Sequence, residues 1–287
     1  MRICTTIEDM RSACRAARRG GRMGFVPTMG ALHEGHLSLV RAARSSCDVV
    51  AASIFVNPAQ FGPGEDLAKY PRHFERDRGL LEKHGVELLF APSVEEMYPA
   101  GVVTWVTVDE LSDKLDGRSR PGHFRGVTTV VAKLFHVVEP DAAFFGQKDA
   151  AQVAIIRRLV RDLNFPVEIV ACPIVREADG LAMSSRNVYL DPRQREQALV
   201  LQRALARVKK SWEAGERDSA KLMAEGREEV AEEKSVRLDY LEIVDPDSLD
   251  PVEDVGDGAL VAVAVFVGST RLIDNVLLQR LANKATA

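Results

Sequence analysis

The segment Phe25–His36, FVPTMGALHEGH, concentrates residues able to handle a reacting phosphate. It reads as a strand end, a Pro-Thr-Met-Gly turn and a helix start. Gly30 admits a ligand close to the backbone, and a helix start offers unpaired N–H groups and the positive end of its dipole to an anion. His33 and His36 fall three residues apart at that start, so both imidazoles can face one pocket. Such a pair suits a phosphate that gains negative charge during substitution at phosphorus. The plain alternative for H-x-x-H alone is a surface pair or an adventitious metal site. A catalytic zinc needs about three protein ligands, and no third is adjacent.

Four other segments carry residues of matching chemistry. Met183-Ser184-Ser185-Arg186, within VREADGLAMSSRN, sets two hydroxyls and a guanidinium on a loop able to close over a triphosphate. The guanidinium fork matches phosphate oxygens. FFGQKDAAQ places Lys148, Asp149 and Gln152 just after a strand, with Lys148 a candidate phosphate ligand. FVNPAQFG places the amides of Asn57 and Gln60 after another, where they could hold a hydroxyl or a carboxylate. RSRPGHFR sets Arg120 and His123 on a Gly-Pro loop suited to an anion. Taken singly, each has an ordinary explanation as a cap, a turn or a solvated loop. Their weight comes from occurring beside the histidine motif.

These segments need a scaffold that brings strand ends together. Short β-branched runs at 22–27, 49–56, 86–90, 142–145 and 167–171 alternate with helical patterns at 36–47, 71–84, 126–138 and 150–162. The run VVAASIFV is continuously apolar, as in a strand buried on both faces of a parallel sheet. The helix over 71–84 is charged and reads as exposed, and 102–108 reads as extended. This alternation predicts an α/β fold, a Rossmann-like doubly wound parallel sheet. Ligands in such sheets bind outside the carboxyl ends of the strands. Beyond Pro173 the pattern changes to helices at 192–215 and 219–234, then strands at 236–244 and 259–267, predicting a smaller C-terminal α+β domain. The expected division is 1–174 and 175–287.

Composition narrows the class. Hydrophobic residues at 46% and charged ones at 28% exclude a disordered chain, which lacks the apolar area to offset its ordering entropy. The 38 basic and 42 acidic side chains leave a net charge of −4, arguing against a nucleic-acid-binding protein. The longest apolar run, Ala259–Val267, is far short of the roughly 20 residues that span a bilayer. No secretory signal is visible, and the four cysteines show no Cys-x-x-Cys spacing, so a cytoplasmic protein with no membrane partner is expected.

Read in order, FVPTMGALHEGHLSLVRAA, SIFVNPAQFGPGEDLAKYPR, RPGHFRGVTTVVAKLF, FGQKDAAQ and LAMSSRN resemble the pantoate–β-alanine ligase (pantothenate synthetase) family, within the class I nucleotidylyltransferase superfamily. The resemblance extends over essentially the whole chain, its second half carried mainly by MSSRN. It implies ligation of (R)-pantoate and β-alanine with ATP through a pantoyl adenylate, giving pantothenate, AMP and pyrophosphate. It implies that His33 and His36 contact the phosphates, with His36 as catalytic acid and Lys148 and Arg186 as further catalytic groups. The ATP site would comprise Met29, Gly30, Ala31, Leu32, His33, Glu34, Gly35, His36, Gly146, Gln147, Lys148, Asp149, Val175, Met183, Ser184, Ser185 and Arg186. Gln60 and Gln152 would hold pantoate, with Asn57, Arg120 and His123 nearby, and Gln60 and Tyr70 would meet β-alanine. The family further implies Mg²⁺, a homodimer and a C-terminal lid.

Two positions depart from the family pattern: Gln147 where many members carry Glu, and Ala150-Ala151 in place of bulkier residues. Neither removes a group assigned to chemistry, so altered packing is expected. The rival readings are another adenylate-forming or nucleotidyl-transferring enzyme of the superfamily, and a non-enzymatic nucleotide-binding protein.

Overall fold

The computed structural model describes residues 1–18, 21–256 and 258–279. Its first unit takes in Met1–Val175 and Met183–Ser185. Six strands form its sheet: β1 (Arg2–Cys4), β2 (Met23–Thr28), β3 (Val49–Ile54), β4 (Leu88–Phe90), β5 (Ala142–Gly146) and β6 (Glu168–Cys172). Their order is β1-β4-β3-β2-β5-β6, and every pair is parallel. Helices α1 (Ile7–Arg18), α2 (Glu34–Ser46) and α3 (Phe74–Lys83), the short turns α4 (Val94–Met97) and α5 (Asp116–Ser119), and helices α6 (His123–Val138) and α7 (Ala150–Asp162) supply the layers. This is the expected doubly wound parallel sheet. Val26, Val40, Val50, Leu81, Leu89 and Phe144 belong to one buried cluster that joins α2 and α3 to the sheet.

The strand order reverses between β2 and β5. These two strands pair only at Gly24–Ala142 and Phe25–Ala143, although β2 runs on to Thr28 and β5 to Gly146. Their carboxyl ends therefore part, and the crevice expected at a topological switch point opens between the loops that follow them.

The second unit takes in Arg176–Ala182 and the chain from Arg186 onward. The division is thus not a single cut at 174: residues 176–182 go with the second unit, and 183–185 return to the first. Helices α8 (Pro192–Ala198), α9 (Val200–Glu213) and α10 (Ser219–Glu232) accompany an antiparallel sheet of β7 (Val236–Val244), β8 (Gly258–Val267) and β9 (Thr270–Gln279), with β8 central. Val261, Val263 and Val265, alternating along β8, share a core with Leu205, Val208, Leu222 and Ile243.

Several expectations needed correction. The helix expected over 192–215 is two, divided at Leu199. The extended run at 102–108 joins no sheet, because Val106 spends its backbone groups on α6: its N–H donates to Thr129 Oγ1 (3.0 Å) and its carbonyl accepts from Thr128 Oγ1 (2.6 Å). Helix α3 is not simply exposed, since Asp77 and Leu81 lie on a buried face. Strand β9 was not expected. Its sequence holds Asp274 and Asn275, yet both are buried, and Arg176 forks onto Asp274 at 2.6 and 3.1 Å.

Candidate active site

The turn after β2 is shaped by Thr28, whose hydroxyl donates to Ser53 O (2.7 Å) and accepts the Gly30 N–H (3.2 Å). Gly30 (φ +85°) and Ala31 (φ +51°) are both left-handed. For alanine that conformation costs about 1–2 kcal/mol and needs support from outside the turn. Asp77 supplies it. Its carboxylate, 1% exposed, accepts the N–H groups of Ala31 (2.7 Å) and Leu32 (3.0 Å).

His33 then caps α2. Its Nδ1 accepts the Gly35 N–H (3.2 Å), while the His33 N–H donates to His36 Nδ1 (3.3 Å). The ring centroids are 4.1 Å apart. Gly35 must lack a side chain, because a Cβ there would lie 2.9 Å from the folded-back His33 ring. Each neutral imidazole accepts on Nδ1, so each carries its proton on Nε2. The helix terminus therefore does not present these N–H groups bare; its polarity passes through two rings, each receiving a main-chain hydrogen bond and carrying an N–H donor. Burial, followed by the proximity of His33 and Lys148, pushes the pKa of His36 down to about 3. That coupling places Lys148, just beyond β5, within electrostatic reach of His36. Lys148 itself lies 3.7 Å from the Asp149 carboxylate.

A second cluster surrounds Gln60. Gln60 Oε1 accepts from Asn57 Nδ2 (3.0 Å), and Gln60 Nε2 donates to Met29 Sδ (3.1 Å), tying this amide to the histidine turn. Asn57 Nδ2 also donates to Gly126 O (3.1 Å), and Tyr98 donates to Asn57 Oδ1 (2.9 Å). Gly126 lets α6 approach closely, since a Cβ would fall 2.2 Å from Ala59 O. His123 is buried, with Nδ1 2.8 Å from Gln60 O and Nε2 3.0 Å from Arg120 Nη1. A carbonyl and a guanidinium fix the tautomer: His123 donates from Nδ1 and accepts on Nε2. Burial, then the Arg120 charge, lowers its pKa to about 4. Arg120 forks onto Glu65 at 2.8 and 2.6 Å. Burial opposes ionisation of Glu65, yet the Arg120 contact holds its pKa below the ordinary range.

The structure thus brings Met29, His33, His36, Asn57, Gln60, Arg120, His123 and Lys148 into one connected region of the first unit. Tyr70 OH lies 3.3 Å from Ser185 Oγ, the Met183 N–H donates to Val175 O (2.9 Å), and Met183 Cβ would be 3.8 Å from a Cβ on Gly35. Gln152 is on the first turn of α7, partly exposed. Ala31 and Leu32 have their N–H groups occupied by Asp77 and their side chains buried. Arg186 falls in the second unit. Sequence reasoning missed Asp77, Tyr98 and Glu65. The sequence carried no signal for Asp77, which stands among the charged residues of α3. Among the described residues no group of three His, Cys, Asp or Glu side chains could hold a metal ion.

An open parallel sheet with imidazoles and a lysine at its switch point defines a nucleotide-handling α/β protein. Comparison with known proteins sharpens that class. The family model described as pantoate-beta-alanine ligase matches residues 2–277. The pantothenate synthetase of Koribacter versatilis is 61% identical over 284 residues, 99% of this chain and 98% of that one. That of Acidobacterium capsulatum is 62% identical over 290 residues, 97% of each chain. The crystal structure of pantothenate synthetase from Thermus thermophilus superposes with a TM-score of 0.93 at 51% identity, covering 98% of this chain and all of that one. The Francisella tularensis pantoate-beta-alanine ligase, solved with beta-gamma ATP and beta-alanine, gives 0.78 at 34% identity, covering 97% of this chain and 98% of that one. The chain belongs to the pantoate–β-alanine ligase family.

Proposed function

We propose that the chain joins pantoate to β-alanine at the expense of ATP, through a pantoyl adenylate, releasing pyrophosphate and then AMP. Full-length identity to pantothenate synthetases supports the overall reaction, and the ATP and β-alanine of the Francisella structure support those two substrates. The observation that carries the mechanism is the pair of neutral imidazoles capping α2 at the switch point.

A carboxylate is a poor acylating agent. In the first step a pantoate carboxylate oxygen attacks the α-phosphorus and pyrophosphate leaves; in the second the β-alanine amine attacks the acyl carbonyl, AMP leaves and the nitrogen sheds its proton. Negative charge grows on phosphate oxygens in the first step. His33 and His36 meet it with Nε2–H donors, and Lys148 with a full positive charge. A neutral imidazole backed by a helix N-terminus is an effective electrophilic donor. As its pKa stands near 3 in the free site, His36 begins the reaction as that neutral donor, and an arriving triphosphate raises its basicity. Met29, Gly30, Glu34, Gly35, Gly146, Gln147, Asp149, Val175, Met183, Ser184 and Ser185 line the nucleotide path in this reading, and Arg186 joins them on the strength of the family motif.

Gln60 and Gln152 hold pantoate, and Gln60 with Tyr70 receives β-alanine. Asn57, Arg120 and His123 act through Gln60, since their hydrogen bonds converge on it and its neighbours. Mg²⁺ is inferred as a companion of the triphosphate, the usual way this ion meets a nucleotide site, because the described residues form no cage for it. A cytoplasmic homodimer is inferred from the family, and light scattering of the purified chain tests the dimer. No helix among the described residues is long and apolar enough to cross a membrane.

Pyrophosphate exchange into ATP tests the whole reading. Exchange that requires pantoate but not β-alanine, with pantothenate formed once β-alanine is added, is the expected result. Exchange requiring another acid, or none at all, overturns it.

A further inference from the structure

We propose that Asp77 is a positioning residue for the two active-site imidazoles, acting by anchoring the turn from which they project. The proposal rests on the reading of His33 and His36 as phosphate ligands, and its test can fail separately from that reading.

Gly30 and Ala31, consecutive and left-handed, turn successive N–H groups toward one point. Such a concavity is an anion seat. Here the protein fills it with its own carboxylate, at 2.7 and 3.0 Å from the Ala31 and Leu32 nitrogens. A buried acid on the apolar face of a helix is poorly placed for packing, and it is tolerated only when its oxygens are satisfied. Asp77 is satisfied by this turn, with Arg76 Nη1 a further 3.4 Å contact from the partly exposed side.

Two consequences follow for the site. The seat is closed to the nucleotide, so phosphate charge arriving at this turn has to be met beyond it, at the imidazoles. Leu32 immediately precedes His33, whose extended backbone (φ −134°, ψ 177°) lets its ring fold back to accept the Gly35 N–H. Releasing Leu32 releases the reciprocal cap, and with it the tautomer and aim of both rings.

The test compares Asp77→Ala, Asp77→Asn and the double variant Asp77→Ala/Ala31→Gly with the unaltered chain. Long-range ¹H–¹⁵N spectra of the histidine side chains report tautomer, and pantoate-dependent pyrophosphate exchange reports kcat and the KM for ATP. In Asp77→Ala the Nε2–H signatures of His33 and His36 should be lost while His123 keeps its own, and kcat should fall on the order of 10²-fold, the usual penalty for misplaced groups. Asp77→Asn, which keeps one acceptor, should fall between. Ala31→Gly removes the left-handed strain and should restore part of kcat, a rescue that a general folding defect would not show. If Asp77→Ala is too unstable to purify, Asp77→Asn and the double variant carry the test. Unchanged histidine signatures and a kcat within twofold in folded Asp77→Ala or Asp77→Asn would overturn the proposal. Altered signatures with unaltered exchange would leave Asp77 as the positioning residue and remove the two histidines from the phosphate site.

Discussion

Two sets of histidines lie within the first unit, and they are wired in opposite senses. His33 and His36 accept main-chain N–H groups on Nδ1 and carry their protons on Nε2. His123 donates its Nδ1–H to the Gln60 carbonyl and accepts Arg120 on Nε2. His36, with a pKa near 3, and His123, near 4, are both neutral at physiological pH. What differs is the direction. The first pair accepts main-chain N–H groups at a helix start, whereas His123 donates to a carbonyl and accepts from a guanidinium. Burial and a low pKa are therefore shared by His36 and His123, and the direction of their hydrogen bonds is what tells them apart.

The comparison breaks most visibly at His36. His36→Ala, and likewise Lys148→Ala, should lower the single-turnover rate of adenylate formation about 10²-fold, the scale for removing a preorganised donor. Rates within a few-fold of the unaltered chain would place His36 with His123 as scaffold. Next comes Gly126→Ala, which forces a methyl against Ala59 O and should cost about 2 kcal/mol in denaturant unfolding together with a raised KM for pantoate. A raised KM for ATP alone would detach the Gln60 cluster from pantoate. His123→Gln should raise the KM for pantoate about tenfold, some 1.4 kcal/mol, and leave the KM for ATP unchanged. Loss of kcat at saturating pantoate would instead make His123 a participant.

The smallest effect is on acid stability. His36 and His123 have folded pKa values below the unfolded value of 6.5, so the unfolded chain takes up protons first as pH falls. Their contribution is complete above pH 6.5 and drains away toward pH 4 and 3. Between pH 6.5 and 5.5 the loss is about 1 kcal/mol for each group. Denaturant titrations at the two pH values should show a shallower dependence in His123→Gln. An equal slope would mean that burial and the Arg120 charge do not hold His123 neutral.

The sites that follow strands are legible in the sequence alone, because glycine, proline and polar residues after an apolar run announce a carboxyl end. Lys148 and the His33–His36 turn can be placed in that way, and β3, α7 and β7 match their apolar patterns closely. Asp77 is not legible: apart from Gly79 and its two leucines, every residue of α3 is charged or aromatic, and a carboxylate among them looks solvated until its backbone partners are known. The 102–108 segment has the composition of a strand but finds its hydrogen bonds in the hydroxyls of Thr128 and Thr129. Strand β9 escapes because Asp274 interrupts its pattern, and the compensating Arg176 lies 98 residues away.

That buried pair also limits how the second unit can be assembled. Strands β8 and β9 are joined by only Gly268 and Ser269, and their pairing runs from Val267–Thr270 to Gly258–Gln279. Apolar residues occur on both faces of β9, so hydrophobicity alone distinguishes poorly between this alignment and one displaced by a residue. A displacement would turn Asp274 to the opposite face and leave the fork of Arg176 without its carboxylate. One carboxylate thus acts as a key for strand register, admitting a single alignment of the hairpin.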